Sequence, residues 1–207
     1  MHSLRGTAAA SLVMLLFLTS TAPAALKPAP SVADVERALA IARGSDAERA
    51  RFHARYVFSP DDPVVERLEI LTELRRIVLT GEARHDNWLF LHSPTAAQEA
   101  VQSWRGLVTI VAQLRFHPQN VLVSVPPYSV AVSRSAEGGD LVPSGVRTAP
   151  TWSLPFRTPQ GEATALLGAV VEADFRALDL PEAARVVRVM LDEKPVVSLP
   201  VDFSRID

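Results

Sequence analysis

Cysteine is absent from the 207 residues. That single absence excludes a disulfide framework, a thiolate metal site, a cysteine nucleophile and a cysteine-linked lipid anchor. Lysine is nearly absent too: Lys27 and Lys194 are the only two, and arginine supplies the remaining cationic side chains. No basic run is interleaved with aromatics and the formal net charge is −2. The balance argues against an electrostatic nucleic-acid binder and leaves no polybasic handle for an anionic membrane. Phosphate-cradling glycine loops are missing as well; Gly138 and Gly139 precede no helical pattern, and no G-x-S-x-G elbow surrounds any serine. No repeat of solenoid period is visible.

Long apolar runs are confined to the N-terminus. Arg5 is followed by the run at residues 8–18 and then by Ala22-Pro23-Ala24. A positive charge, a short apolar stretch and small residues before a cut are the three parts of a secretory signal. The run spans 11 residues, against roughly 20 needed to cross a bilayer as a helix. The expectation is therefore residues 1–24 as a cleaved signal and 25–31 as a Pro/Ala linker. The remaining 32–207 is expected to be one α+β domain without an integral membrane segment, exported to a periplasm or the medium. Loss of Arg5 with the signal takes the formal charge from −2 to −3.

Within 32–207 the hydrophobic period changes partway along. Ser31 with Asp34, and Ser45 with Glu48, are spaced as capping boxes for two successive helices, the first ending at Gly44 and the second near Tyr56. Residues 64–80 fit both a helix and an alternating strand, with the helix favoured in the second half. Residues 87–91 read as a short strand. Ser93-Pro94 opens a third helix carrying Ala97, Val101 and Trp104 on one side. The helical part is thus about 32–105.

From residue 106 onward alternation dominates. Val108, Ile110, Ala112, Leu114 and Phe116 share one parity. The link at 117–120 predicts a hairpin whose second strand carries Val121, Val123 and Val125. Tyr128, Val130 and Val132 follow, then a loop over 134–149, then Trp152, Leu154 and Phe156 on one parity. Leu167 to Phe175, Val187 to Leu191, and Val197 to Phe203 give three further strands, with a turn at Asp192-Glu193-Lys194. Pro200 marks the last strand as a sheet edge. Strands with one apolar side must bury it, so the expectation is an N-terminal helical segment packed on an antiparallel β-sandwich-like C-terminal part.

Chemistry is sparse in the pattern. His53, His85, His92 and His117 are the groups that titrate nearest neutrality. His85-Asp86 with His92 and His117 would suit a metal or an acid–base pair if folding brought them together, yet no H-x-H or H-E-x-x-H spacing is present. Glu172 and Asp174 share a strand face about 7 Å apart. That spacing is compatible with acid–base work or an oxygen-ligated cation, and equally with a solvated outer face. Asp61-Asp62 and Asp192-Glu193 read as turns. Trp104, Trp152 and Phe156 read as core, and Tyr128 as a surface aromatic. No cofactor is implied. The functional expectation is an exported non-catalytic domain of the cell envelope or exterior, binding a protein partner or ligand through the sheet edge at Val197 to Phe203. The alternatives are a hydrolytic or metal-assisted enzyme using a histidine/carboxylate cluster, and a structural subunit of an envelope assembly.

Overall fold

The computed structural model describes residues 29–133, 139–159, 161–180 and 184–206. The expected signal, most of the linker and the glycine pair's first member fall outside them.

Both N-terminal caps form as the spacing predicts. The Ser31 hydroxyl accepts from the Asp34 N–H at 3.2 Å while the Asp34 carboxylate accepts from the Ser31 N–H at 3.1 Å, opening α1 (Val32–Ala42). Ser45 and Glu48 repeat the box for α2 (Asp46–His53), which runs on through a 3-10 turn at Ala54–Tyr56. Each such cap is worth about 1 kcal/mol. β1 (Val57–Phe58) follows.

The ambiguous stretch divides between the two alternatives: β2 (Val65–Leu71), then α3 (Glu73–Ala83), with Thr72 as the cap between them. The half favoured as helix is one, and the half that fitted both patterns contributes a strand to the sheet. α3 lies against α1 at close range, since a Cβ on Gly81 would stand 2.6 Å from the Cβ of Ala42. The strand expected at 87–91 is instead α4 (Trp88–His92). The Asn87 side chain caps it by accepting from the Phe90 N–H at 3.0 Å, and the consecutive Phe90 and Leu91 are both buried, as no alternating strand would have them. α5 (Pro94–Ala100) begins at Ser93-Pro94 as expected and ends before Trp104, which sits in a 3-10 turn, Gln102–Trp104.

The remaining strands are β3 (Leu107–Arg115), β4 (Tyr128–Ser133), β5 (Asp140–Leu141), β6 (Gly145–Trp152), β7 (Phe156–Thr158), β8 (Gly161–Ala163), β9 (Leu166–Arg176), β10 (Ala184–Leu191) and β11 (Lys194–Asp202). They form an antiparallel five-stranded sheet in the order β1-β2-β3-β9-β6, a four-stranded sheet β11-β10-β4-β5, and the small β7–β8 hairpin. The fold is α+β. Val108, Ile110, Ala112 and Leu114 of β3 pair with Phe175, Ala173, Val171 and Ala169 of β9. That apolar face joins Val130, Val132, Val187 and Val189 of the smaller sheet, and Leu39 and Ile77 of the helices, in one continuous core.

One strand expectation fails for reasons of neighbours. Residues 121–125 make no hairpin with β3, because β2 and β9 already occupy both of its edges. The Asn120 side chain turns the chain away, donating to the carbonyls of His117 (2.6 Å) and Leu166 (2.7 Å), and Val121 and Val123 are 93% and 89% exposed. The loop expected over 134–149 closes early, since β6 starts at Gly145. The Asp192–Glu193 turn holds, both residues having positive φ (48° and 65°) in a two-residue hairpin. β11 is a sheet edge, as Pro200 implied. Among the described residues no helix is long and apolar enough to cross a membrane.

Candidate functional site

The second face of the five-stranded sheet is polar, and register aligns its charges. Thr109, Asp174 and Gly145 form one cross-strand row; Val111, Glu172 and Arg147 form the next. Arg147 of edge strand β6 spans both rows. Its Nη1 and Nη2 donate to Asp174 Oδ2 and Oδ1 at 2.5 and 3.1 Å, and its Nε donates to Glu172 Oε2 at 2.9 Å. From the other side the Thr109 hydroxyl donates to Asp174 Oδ1 at 2.6 Å and accepts from Arg76 Nη2 at 2.6 Å. Arg76 reaches there from α3, its guanidinium 4.6 Å from the centre of the Trp104 ring. Ser144 then fastens the start of β6 through its N–H (2.7 Å) and hydroxyl (3.1 Å), both donated to the Asp174 carbonyl.

Two cations thus meet two carboxylates, and Asp174 is almost wholly removed from solvent. Burial by itself would raise its pKa. The hydrogen bonds from Arg147 and Thr109, with the charges of Arg147 and Arg76, outweigh burial and hold it below the ordinary carboxylate value. The same two carboxylates push Arg147 further into its charged form. An acid–base catalyst needs a carboxylate free to exchange its proton, and a cation site needs oxygens not already filled by guanidinium. Asp174 meets neither condition. The cluster is a clamp that fixes β6 to β9. A parallel cluster lies one strand over: buried Arg75 donates to Glu69 Oε2 at 2.7 Å and to the Ile70 carbonyl at 2.8 Å, with its guanidinium over the Tyr56 ring. Glu73, beside it in α3, is pushed up by burial against the opposing pull of the Gly106 N–H and Arg105.

What the clamp holds in place is an open edge. Among the described residues β6 pairs on one side only, with β9. Val146, Pro150 and Trp152 oppose Ala173, Ala169 and Leu166, which are buried, so they lie on the core face of the sheet. The covering layers stop short of them, however. Trp152 is 43% exposed, and beyond the strand Leu154 and Phe156 are 87% and 47% exposed. This corrects the reading of Trp152 and Phe156 as core. The alternation does not run along one strand: Trp152 ends β6 at the sheet margin, and Phe156 opens the separate β7–β8 hairpin. Pro150 was the available signal, since a proline within a strand marks an edge. Tyr128 is half-buried against Phe116, their ring centres 6.2 Å apart.

The histidines have separate partners. His85 and Asp86 pair with each other at 3.1 Å, both exposed. His92 lies against the Trp88 ring, with Arg43 Nη1 at 3.3 Å from its Nδ1. His117 Nδ1 accepts from the Gln119 N–H at 3.2 Å, and His53 Nε2 is 2.9 Å from Glu82. Among the described residues no three His, Asp or Glu side chains gather as metal ligands. Arg76, Thr109 and Arg147, which dominate the polar face, carry no sequence motif. Compared with known proteins, the chain matches no family model, no curated protein and no solved structure.

Proposed function

We propose that this chain is an exported, non-catalytic binding domain that takes an extended segment of a partner protein along the free edge of β6. The observation that carries the reading is an eight-residue strand, paired on one side, pinned by a charged clamp and bordered by exposed apolar side chains. Strand addition draws affinity from main-chain hydrogen bonds and specificity from side chains on alternate positions. β6 offers the first through its open edge and the second through Val146 and Trp152.

The other edges suit this less. β1 and β5 are two residues long. β11, the edge expected from sequence, carries two prolines, Pro195 and Pro200, against the single Pro150 near the end of β6, and starts at Lys194; prolines and lysines are the devices by which edges are kept from pairing. The preference for export rests on the N-terminal pattern of Arg5, the apolar run and Ala22-Pro23-Ala24.

A photo-crosslinking residue placed at Thr148 of β6, with Ser198 of β11 as the comparison position, tests the proposal in cells. A discrete heavier adduct from position 148 alone is the expected result. Adducts from 198 alone, or from neither, would remove it. An adduct of two copies of the chain would convert the reading to an assembly subunit.

A further inference from the structure

We propose that the cleft between α1 and α2 is a binding site for a free aliphatic monocarboxylate. Helical spacing builds it. Arg37, Ala40 and Ile41 of α1 face Glu48, Arg51 and Phe52 of α2 across a cavity of about 540 Å³, with Arg55 at its end. That volume falls within the roughly 300–1,000 Å³ typical of small-ligand sites.

Its charge is one-sided. The single acidic side chain, Glu48, is turned into the α2 cap, where Oε2 accepts from the Ser45 N–H at 2.7 Å and hydroxyl at 2.9 Å. Arg37 has one nitrogen on Asp34 at 2.6 Å. Arg55 lies over the Phe52 and Tyr56 rings at 5.2 and 5.9 Å. Arg51 has no hydrogen bond or ion pair among the described residues; its charge adds weakly to the Ser45 bonds that hold the Glu48 carboxyl below its ordinary value. Guanidinium groups recognise carboxylates through paired, charge-assisted hydrogen bonds. Ala40, Ile41 and Phe52 offer the apolar floor along which a chain would lie.

A partner helix is the less suitable occupant. α2 has eight residues and is about 12 Å long. A contact of that length falls well short of the roughly 800 Å² per partner in a standard protein interface. A molecule with one anionic head and a single tail matches both the length and the charge.

The test is calorimetric titration of the purified protein with dodecanoate below its micelle concentration. Dodecyltrimethylammonium has the same tail with the opposite charge, and phosphatidylglycerol vesicles present an anionic lipid surface. Saturable binding of dodecanoate alone is expected. Arg51→Glu should weaken it at least tenfold, and Ala40→Trp, which fills the cleft, should abolish it. Both positions are exposed, so the fold should persist by circular dichroism. Absence of saturable dodecanoate binding, equal binding of the cationic amphiphile, binding to vesicles alone, or indifference to both substitutions would overturn the proposal.

Discussion

Replacing Asp174 by alanine should destabilise the protein by about 3–4 kcal/mol. The size follows from what loses its partner. The Thr109 hydroxyl, which is fully buried, would lose the acceptor it now holds at 2.6 Å; an unsatisfied buried donor costs about 1–3 kcal/mol. Arg76, half-buried and linked to Asp174 through Thr109, would lose the nearer of the two carboxylates whose charges offset its burial, a loss smaller than the roughly 3–5 kcal/mol for breaking a direct buried ion pair. Arg147 adds little, because its side chain is 53% exposed and returns to water, so its share is about 1 kcal/mol or less. These contributions overlap and do not sum. Asp174→Asn keeps an acceptor for Thr109 while removing the charge, and should cost about half as much. Urea unfolding followed by circular dichroism at pH 7 measures both. The pH dependence gives a second handle. Asp174 has a depressed pKa in the folded protein, so its contribution is fully present above the unfolded value of about 3.9 and is lost as pH falls through the lower folded value. The gap between wild type and Asp174→Asn should close over that acid range. A cost below about 1 kcal/mol for Asp174→Ala, or a gap unchanged by acid, would refute the clamp.

Gly168→Ala should cost about 2 kcal/mol or more, because the new Cβ would stand 2.2 Å from the Leu114 carbonyl oxygen and force β3 and β9 apart. The melting temperature should fall by roughly 4–8 °C. Glu193→Gly should raise stability by about 0.5–1 kcal/mol, since Glu193 holds a φ of 65° at the second position of the β10–β11 turn. A lower melting temperature in that variant would contradict the turn geometry.

Much of the fold is visible in the sequence wherever the signal is local. Ser31 with Asp34 and Ser45 with Glu48 specify two helix starts within three residues each, and both form. Alternation in β3, β9, β10 and β11 reports the buried face correctly. Alternation names a face and not a neighbour, and the failures follow from that limit. Val121 and Val123 keep the pattern but find no vacant edge on β3. Trp152 keeps it at a margin that no layer covers. At 87–91 a cap by Asn87 outweighs a weak strand pattern. The polar face was half legible: Glu172 and Asp174 share a side at a spacing of two, as read. Their partners Thr109 and Arg147 lie 65 and 27 residues from Asp174, and Arg76 a further 33 from Thr109, so only register joins them.

Amide exchange of β6 residues, followed by nuclear magnetic resonance in the isolated protein, tests most directly whether a fixed strand presents a vacant edge. Alternating protection is expected: N–H groups directed at β9 should exchange slowly and those directed outward rapidly, with Arg147→Ala lowering the slow set. Uniformly fast exchange would mean β6 is not held, and uniformly slow exchange would mean its edge is already covered; either contradicts the account.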